Sequence, residues 1–270
     1  MTRQLLLESL LVPGGLAAVL ALLILRVGSG QVRSAAVELA SLAGFLAAYV
    51  VILGLPGWPP VGARDKLVVV GLIGAALGVL LPRSRIGRGI APALLVLWPL
   101  TIIGWLAWPS VPALDPEPIA TMLALAVIGA GFLRRWDRDA CRGAQRAAML
   151  ISIALGLSVA SVAGNAMSIA QLALALAAAV AGATLLGQAA DLARAALIGP
   201  ASLTLAIAAT LALFSEVSRL GLLCLVPILW ADWLTRRLAR GKPAWVQWLV
   251  FAVGCLFPIG VAATVVRGLG

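Results

Sequence analysis

The sequence contains no histidine. Histidine is the usual general base near neutral pH and the commonest metal ligand in proteins. Its absence excludes Ser-His-Asp triads, HExxH zinc sites, histidine-ligated haem and proton relays built on imidazole. We therefore expect no catalytic residue, no metal site and no cofactor, and we expect that the chain is not an enzyme.

Cysteine and charge are also scarce. The three cysteines, Cys141, Cys224 and Cys255, have no spacing typical of a disulfide framework or a metal site. Charged residues make up 11% of the chain, and its acidic residues do not form a grouped carboxylate site. The chemistry that paired carboxylates or paired thiols support is therefore not expected.

What the chain has in abundance is apolar surface. Hydrophobic residues make up 63% of the sequence, and the mean hydropathy is +1.10. Soluble domains are about 45–50% apolar and about 25% charged, so lipid must be the solvent for most of this chain. The net charge of +10 does not indicate nucleic-acid binding, because the basic residues lie in short loops between apolar runs.

The apolar runs predict an all-α, polytopic transmembrane helix bundle that forms a single integral membrane domain over residues 1–270. A spanning helix needs about 20 mostly apolar residues. Ten runs qualify or nearly qualify, and because three are short we expect eight to ten helices. The runs are Leu5–Leu25, Ala35–Leu55, Leu67–Leu81, Ile90–Trp108, Ile119–Leu133, Ala147–Ala163, Met167–Leu186, Ala201–Phe214, Arg219–Leu234 and Ala244–Val266. The first is interpreted as a membrane helix and not as a cleaved signal peptide.

Two interruptions are informative. Gly164 and Asn165 divide an apolar stretch that is too long for one helix, and both residue types accept the positive φ of a tight turn. The segment 55–66, LPGWPPVGARDK, gathers three prolines, a tryptophan and three charges between the second and third runs. We interpret it as an interfacial turn in which Trp58 anchors at the headgroups and Arg64, Asp65 and Lys66 are solvated. The alternative is that it contacts an external partner or ligand.

The distribution of basic residues predicts the orientation. Fifteen Lys and Arg residues lie in one set of alternating loops, and five lie in the other. Since cytoplasmic loops carry the excess of positive charge, we expect both termini on the non-cytoplasmic side and anionic headgroups against the cytoplasmic loops. Together with the bias toward Arg and Ala, this pattern leads us to expect a bacterial cytoplasmic (inner) membrane.

The basic loop 134–146 divides the chain into two possible halves, residues 1–133 and 147–270. Each half has five runs, and an odd number would give the halves inverted topology, as in many secondary transporters. The fourth run of each half places proline near tryptophan, Trp98 with Pro99 and Pro227 with Trp230. Paired proline-broken helices of this kind point to a binding site.

Glu38 is the acidic residue within a run that suggests function, because intramembrane charge is costly and usually functional. It lies near the start of the second run, so it belongs either to a transport pathway or pairing site, or to a helix start that reaches cytoplasmic water. Asn165 and Gln171, in or beside the sixth and seventh runs, either line a polar path or support tight helix packing.

Two classes of function remain open. In the first, the protein is a small permease with its substrate path near Glu38, Trp98, Pro99, Pro227 and Trp230. In the second, it is a non-catalytic subunit or scaffold of a larger membrane assembly, which would explain the small residues and short loops. A membrane protein partner is expected in the second class, whereas a homo-oligomer is compatible with the first.

Overall fold

The computed structural model describes residues 7–27, 30–81, 85–108, 116–138, 143–185 and 197–269, and within these ranges the chain forms helices and no strand. The all-α prediction is confirmed. A π-helical turn, Leu7–Leu11, leads into the first helix. The helices are α1 (Val12–Val27), α2 (Gly30–Leu53), α3 (Ala63–Leu80), α4 (Arg85–Ala107), α5 (Pro116–Arg138), α6 (Gly143–Ala163), α7 (Met167–Leu185), α8 (Ile198–Phe214), α9 (Arg219–Leu223), α10 (Ala231–Leu238) and α11 (Ala244–Leu269).

Five helical segments are long and apolar enough to cross a membrane: Ser9–Arg26, Ala35–Leu53, Ala144–Ala163, Met167–Leu185 and Ala244–Gly268. Shorter apolar helices cover Pro92–Ala107, Ile119–Arg134 and Ile198–Phe214. Large apolar side chains are exposed on the outside of the bundle, with Val127 and Phe257 each 70% exposed. A helix forms its backbone hydrogen bonds within itself, and a helix that presents such side chains on its surface suits hydrocarbon and not water. The protein is therefore membrane-embedded.

The ninth predicted run is not one helix, and this part of the prediction is wrong. The short α9 is followed by a 3₁₀ turn, Val226–Trp230, and then by α10. Pro227 lies at the start of that turn, where it cannot donate a backbone hydrogen bond to a continuing α-helix. The other nine runs correspond to continuous helices within the described ranges.

The predicted loop 134–146 is also shorter than expected. Helix α5 continues to Arg138 and α6 begins at Gly143, so most of the basic residues extend helix ends; residues 139–142 lie outside the described ranges. The relation between the two predicted halves stays a prediction.

The turn between α6 and α7 has the predicted form. Asn165 has φ 57°, and the N–H of Ala166 donates to the carbonyl of Ser161 at 2.8 Å. Asn165 is exposed, and it reverses the chain just after the last residues of α6.

Two close helix contacts organise the bundle. Helices α1, α2 and α7 pack together through small residues, and α3, the third helix of the first predicted half, packs against α8, the third of the second. A Cβ on Gly182 of α7 would overlap the carbonyl oxygen of Gly14 in α1 and lie 2.9 Å from its carbonyl carbon. Small residues at such contacts let helix backbones approach closely in a membrane.

We predict that Gly182→Ala destabilises the protein by about 1–3 kcal/mol, because the added methyl group overpacks a backbone contact that cannot yield without moving a helix. The matched control is Gly15→Ala in α1, where an added Cβ meets nothing within 4 Å. Thermal unfolding of the purified protein, followed by tryptophan fluorescence, measures both variants. An unfolding midpoint for Gly182→Ala equal to that of Gly15→Ala would contradict the close packing of α1 and α7.

Candidate functional site

The central feature of the site is a fully buried carboxyl group. Glu38 has no exposed surface, and its Oε1 accepts a hydrogen bond from the N–H of Gly199 in the first turn of α8. Its Oε2 is buried and has no hydrogen-bond partner among the described residues. The interpretation in which this side chain reaches water from a helix start is therefore wrong. The interpretation as a pairing or pathway residue remains.

The first turn of α8 is suited to an acidic partner. The first N–H groups of a helix have no partner within the helix, and the helix dipole favours negative charge at this end. Glu38 supplies an acceptor from a neighbouring helix.

Close approach of α3 and α8 makes the pocket for this carboxyl group. A Cβ on Gly199 would lie 2.5 Å from Glu38 Oε1 and 3.0 Å from the backbone nitrogen of Ala75. A Cβ on Gly74 would lie 2.8 Å from Ser202 Oγ and 3.1 Å from the Cα of Gly199. Only glycine fits at either position without moving a helix or a side chain.

Trp98 joins the same part of α8 from α4. Its indole Nε1–H donates to Ser202 Oγ at 2.7 Å, and the Ser202 hydroxyl donates to the carbonyl of Ile198 at 2.7 Å. The structure therefore brings two of the predicted residues, Glu38 and Trp98, to residues 198–202 of α8. Ser202 and the two glycines were not singled out from the sequence.

An apolar layer lies next to Glu38 along the interface of α2, α3 and α8. A Cβ on Gly71 of α3 would lie 3.0 Å from Leu42 Cδ1 and 3.1 Å from Leu203 Cδ2, so both leucines pack over this glycine. We call Leu42, Gly71 and Leu203 the leucine layer. On α2, Leu42 lies one helical turn from Glu38.

Past the leucine layer these helices bury further apolar side chains, among them Phe45, Leu67 and Ile207. Beyond these side chains the same helices open into a pocket of about 580 Å³. We call it the Tyr49 pocket, after a residue that lies about 16 Å along α2 from Glu38 at about 1.5 Å per residue. Its lining includes the polar side chains of Tyr49, Arg64, Asp65 and Thr210. The interface thus has a buried acid near one end, an apolar layer next to it and an open polar pocket at the other end.

Asp65 holds the loop 55–66 against this pocket. The Tyr49 hydroxyl donates to Asp65 Oδ1 at 3.0 Å, and the Gly57 N–H donates to the same oxygen at 3.3 Å. Trp58 is 85% exposed, as expected for a side chain that enters the headgroup layer. The loop is thereby fixed to α2 and α3.

The expectation that three charges in this segment are solvated is wrong for Lys66. Its side chain is 4% exposed, its Nζ donates to the carbonyl of Trp105 at 2.8 Å, and the same atom lies 5.4 Å from the centre of the Trp105 ring. A cation near the C-terminal end of a helix, here α4, is favoured by the dipole. Asp65 is half-buried and hydrogen-bonded, and Arg64 is exposed.

The other predicted residues lie elsewhere. Pro99 is buried in α4, and Gln171 is half-buried in α7. Pro227 and Trp230 line a separate apolar groove of about 460 Å³ that Phe257 of α11 also lines. The structure therefore does not join these two residues to Glu38 and Trp98 in one pocket.

In the part of the chain that the structure describes, no three Asp, Glu or Cys side chains come together as a metal site would need. The expectation that the protein holds no metal stays a prediction. Neither a protein-family model, a curated protein nor a solved structure matches this chain.

We predict that Ser202→Ala costs about 1–3 kcal/mol of stability, because the Trp98 indole N–H loses its acceptor in a dry interior. Ser41→Ala is the matched control. Ser41 is also buried and also donates to a carbonyl of its own helix, that of Val37 at 2.7 Å. Thermal unfolding compares the two variants. In a Trp98→Phe background the cost of Ser202→Ala should largely disappear, and a cost that persists there would show that the hydrogen bond is not its source.

Proposed function

We propose that the protein is a small proton-coupled permease whose path follows the interface of α2, α3 and α8, and that it is not an enzyme. The observation that carries this proposal is Glu38, which is fully buried on the same interface as an open pocket and has one carboxyl oxygen without a hydrogen-bond partner among the described residues. An ionisable side chain inside a membrane protein costs free energy, and such residues commonly mark ion or proton pathways.

The chemistry of this carboxyl group supports a link between the protonation of Glu38 and the relative position of α2 and α8. When Oε2 carries a proton, Oε1 keeps a neutral hydrogen bond to the N–H of Gly199. When the proton leaves, the same contact becomes a charge-assisted hydrogen bond, which is roughly twice as strong. Protonation therefore loosens the contact between α2 and α8.

The leucine layer, together with the buried apolar side chains between it and the Tyr49 pocket, is the barrier that this loosening would open. Leu42 comes from α2 and Leu203 from α8, the two helices that Glu38 joins. Separation of these helices would connect the Tyr49 pocket with the region around Glu38. Their return would close the path again, as alternating access requires.

The direction follows from the loop charges. With the more basic loops in the cytoplasm, the Tyr49 pocket opens away from the cytoplasm, both termini are non-cytoplasmic, and anionic lipid headgroups bind the cytoplasmic loops. We place the protein in a bacterial cytoplasmic membrane on the same argument.

A second candidate is a non-catalytic subunit of a larger membrane assembly. The observation that favours it is the apolar groove beside α11, where Pro227 and Trp230 are exposed next to Phe257. A transmembrane helix of a partner protein would fit such a surface. Native mass spectrometry after gentle extraction distinguishes the two candidates, because a stoichiometric partner supports the subunit and a lone monomer or homodimer supports the permease.

We predict that Glu38→Gln abolishes proton-coupled flux and leaves the fold intact, because the amide oxygen still accepts from Gly199 but cannot release a proton. Vesicles that contain the protein and an internal pH-sensitive dye are exposed to four solutes that cross lipid poorly: benzenesulfonate, benzyltrimethylammonium, phenylalanine and glucose. At least one should drive a pH change that the wild type supports and Glu38→Gln does not.

Glu38→Asp is the conservative control, since it keeps a titratable carboxyl group and should retain coupling at a lower rate. Unfolding midpoints of both variants confirm that they are folded. Flux that couples to protons equally well in Glu38→Gln would remove this residue from the mechanism.

A further inference from the structure

The Tyr49 pocket has the size and lining of a small-molecule site. Its volume of about 580 Å³ lies within the range of about 300–1,000 Å³ that ligand pockets occupy. Its lining combines apolar side chains with polar side chains and with residues of the loop 55–66. The apolar part includes Leu53, Leu106, Ile169 and Phe214.

The charges at the pocket are not equally available to a ligand. Asp65 Oδ1 already accepts from the Tyr49 hydroxyl and from the Gly57 N–H. The neighbouring Lys66 is buried and donates to the carbonyl of Trp105, and neither of these two residues lines the pocket. Arg64 is exposed and lines the pocket. Of the two cations in this segment, Arg64 is therefore the one that a ligand can reach, and its guanidinium group forms paired hydrogen bonds with carboxylates.

We propose that the Tyr49 pocket binds a small organic anion, with its carboxylate on Arg64 and its apolar body against Phe214 and Ile169. This inference rests on the proposed permease function and adds the class of substrate. It also balances charge, because one anion that moves with one proton on Glu38 Oε2 transfers no net charge across the membrane. Such a cycle needs no further ion.

Benzoate is the probe, because it combines one carboxylate with a rigid apolar ring. Equilibrium dialysis of radiolabelled benzoate against the purified protein in detergent measures binding without any need for transport. We expect that benzoate binds the wild type and that Arg64→Gln weakens binding by about tenfold or more, the effect of losing a charge-assisted pair. Arg64→Lys should retain part of the affinity, since it keeps the charge but not the fork of donors.

Two control variants separate the effect of the Arg64 charge from the effect of free space in the pocket. Arg267→Gln removes an exposed arginine near the end of α11, which does not line the pocket, and should leave benzoate affinity unchanged. Ala63→Trp keeps Arg64 but fills the pocket, which Ala63 lines, and should abolish binding. Benzamide, which has the same ring and no charge, should compete poorly, and benzylammonium should not compete.

The experiments distinguish failure of the anion-site proposal from failure of the proposed permease function. Absence of benzoate binding, equal binding by Arg64→Gln, or stronger competition by benzylammonium would overturn the anion site, even if another solute gives proton flux that depends on Glu38. Benzoate binding that depends on Arg64, without any flux that depends on Glu38, would leave the anion site standing and overturn the permease.

Discussion

The structure around α8 depends on one contact, the hydrogen bond from the Gly199 N–H to the Glu38 carboxyl group. In a membrane no water satisfies a buried backbone N–H or a buried carboxylate, and each left alone costs several kcal/mol. Their hydrogen bond gives the backbone N–H an acceptor and the carboxyl group a donor. Their contact requires glycine at both Gly74 and Gly199, because a Cβ at either position would come too close to a neighbouring helix. The two glycines therefore allow α3 to pack closely against α8. Trp98 then reaches Ser202 in the same turn region.

The same interface combines two conditions that a transport path needs. It has a polar, open end at the Tyr49 pocket. Between that pocket and Glu38 it has an apolar barrier, which consists of the leucine layer and further buried side chains. A structural cap on α8 would be complete with one carboxyl oxygen paired, yet Glu38 also buries a second oxygen that has no partner among the described residues. A buried group of this kind is expensive to maintain, which is why we assign it a function beyond helix capping.

The sequence predicted what depends on local patterns and missed what depends on contacts between helices. Hydropathy located the apolar runs, and Gly164 with Asn165 predicted the turn between α6 and α7. Asp232 and Arg236, four residues apart in α10, form an ion pair at 2.5 Å, a local contact that the acid-before-base order on a helix favours. By contrast, no periodicity reveals that Ser202 faces Trp98. A further signal was present in the sequence, because Tyr49 is its single tyrosine, but its bond to Asp65 depends on how the loop 55–66 folds back.

The most direct measurement is infrared difference spectroscopy of the protein in lipid, recorded while the pH of the bath is changed. If Glu38 holds and releases a proton, the wild type will show the C=O stretch of a protonated carboxyl group that disappears at high pH and is absent from Glu38→Gln. If no carboxyl band depends on Glu38, or if its band does not respond to pH, the residue is a fixed cap on α8 and the proposed proton coupling is contradicted.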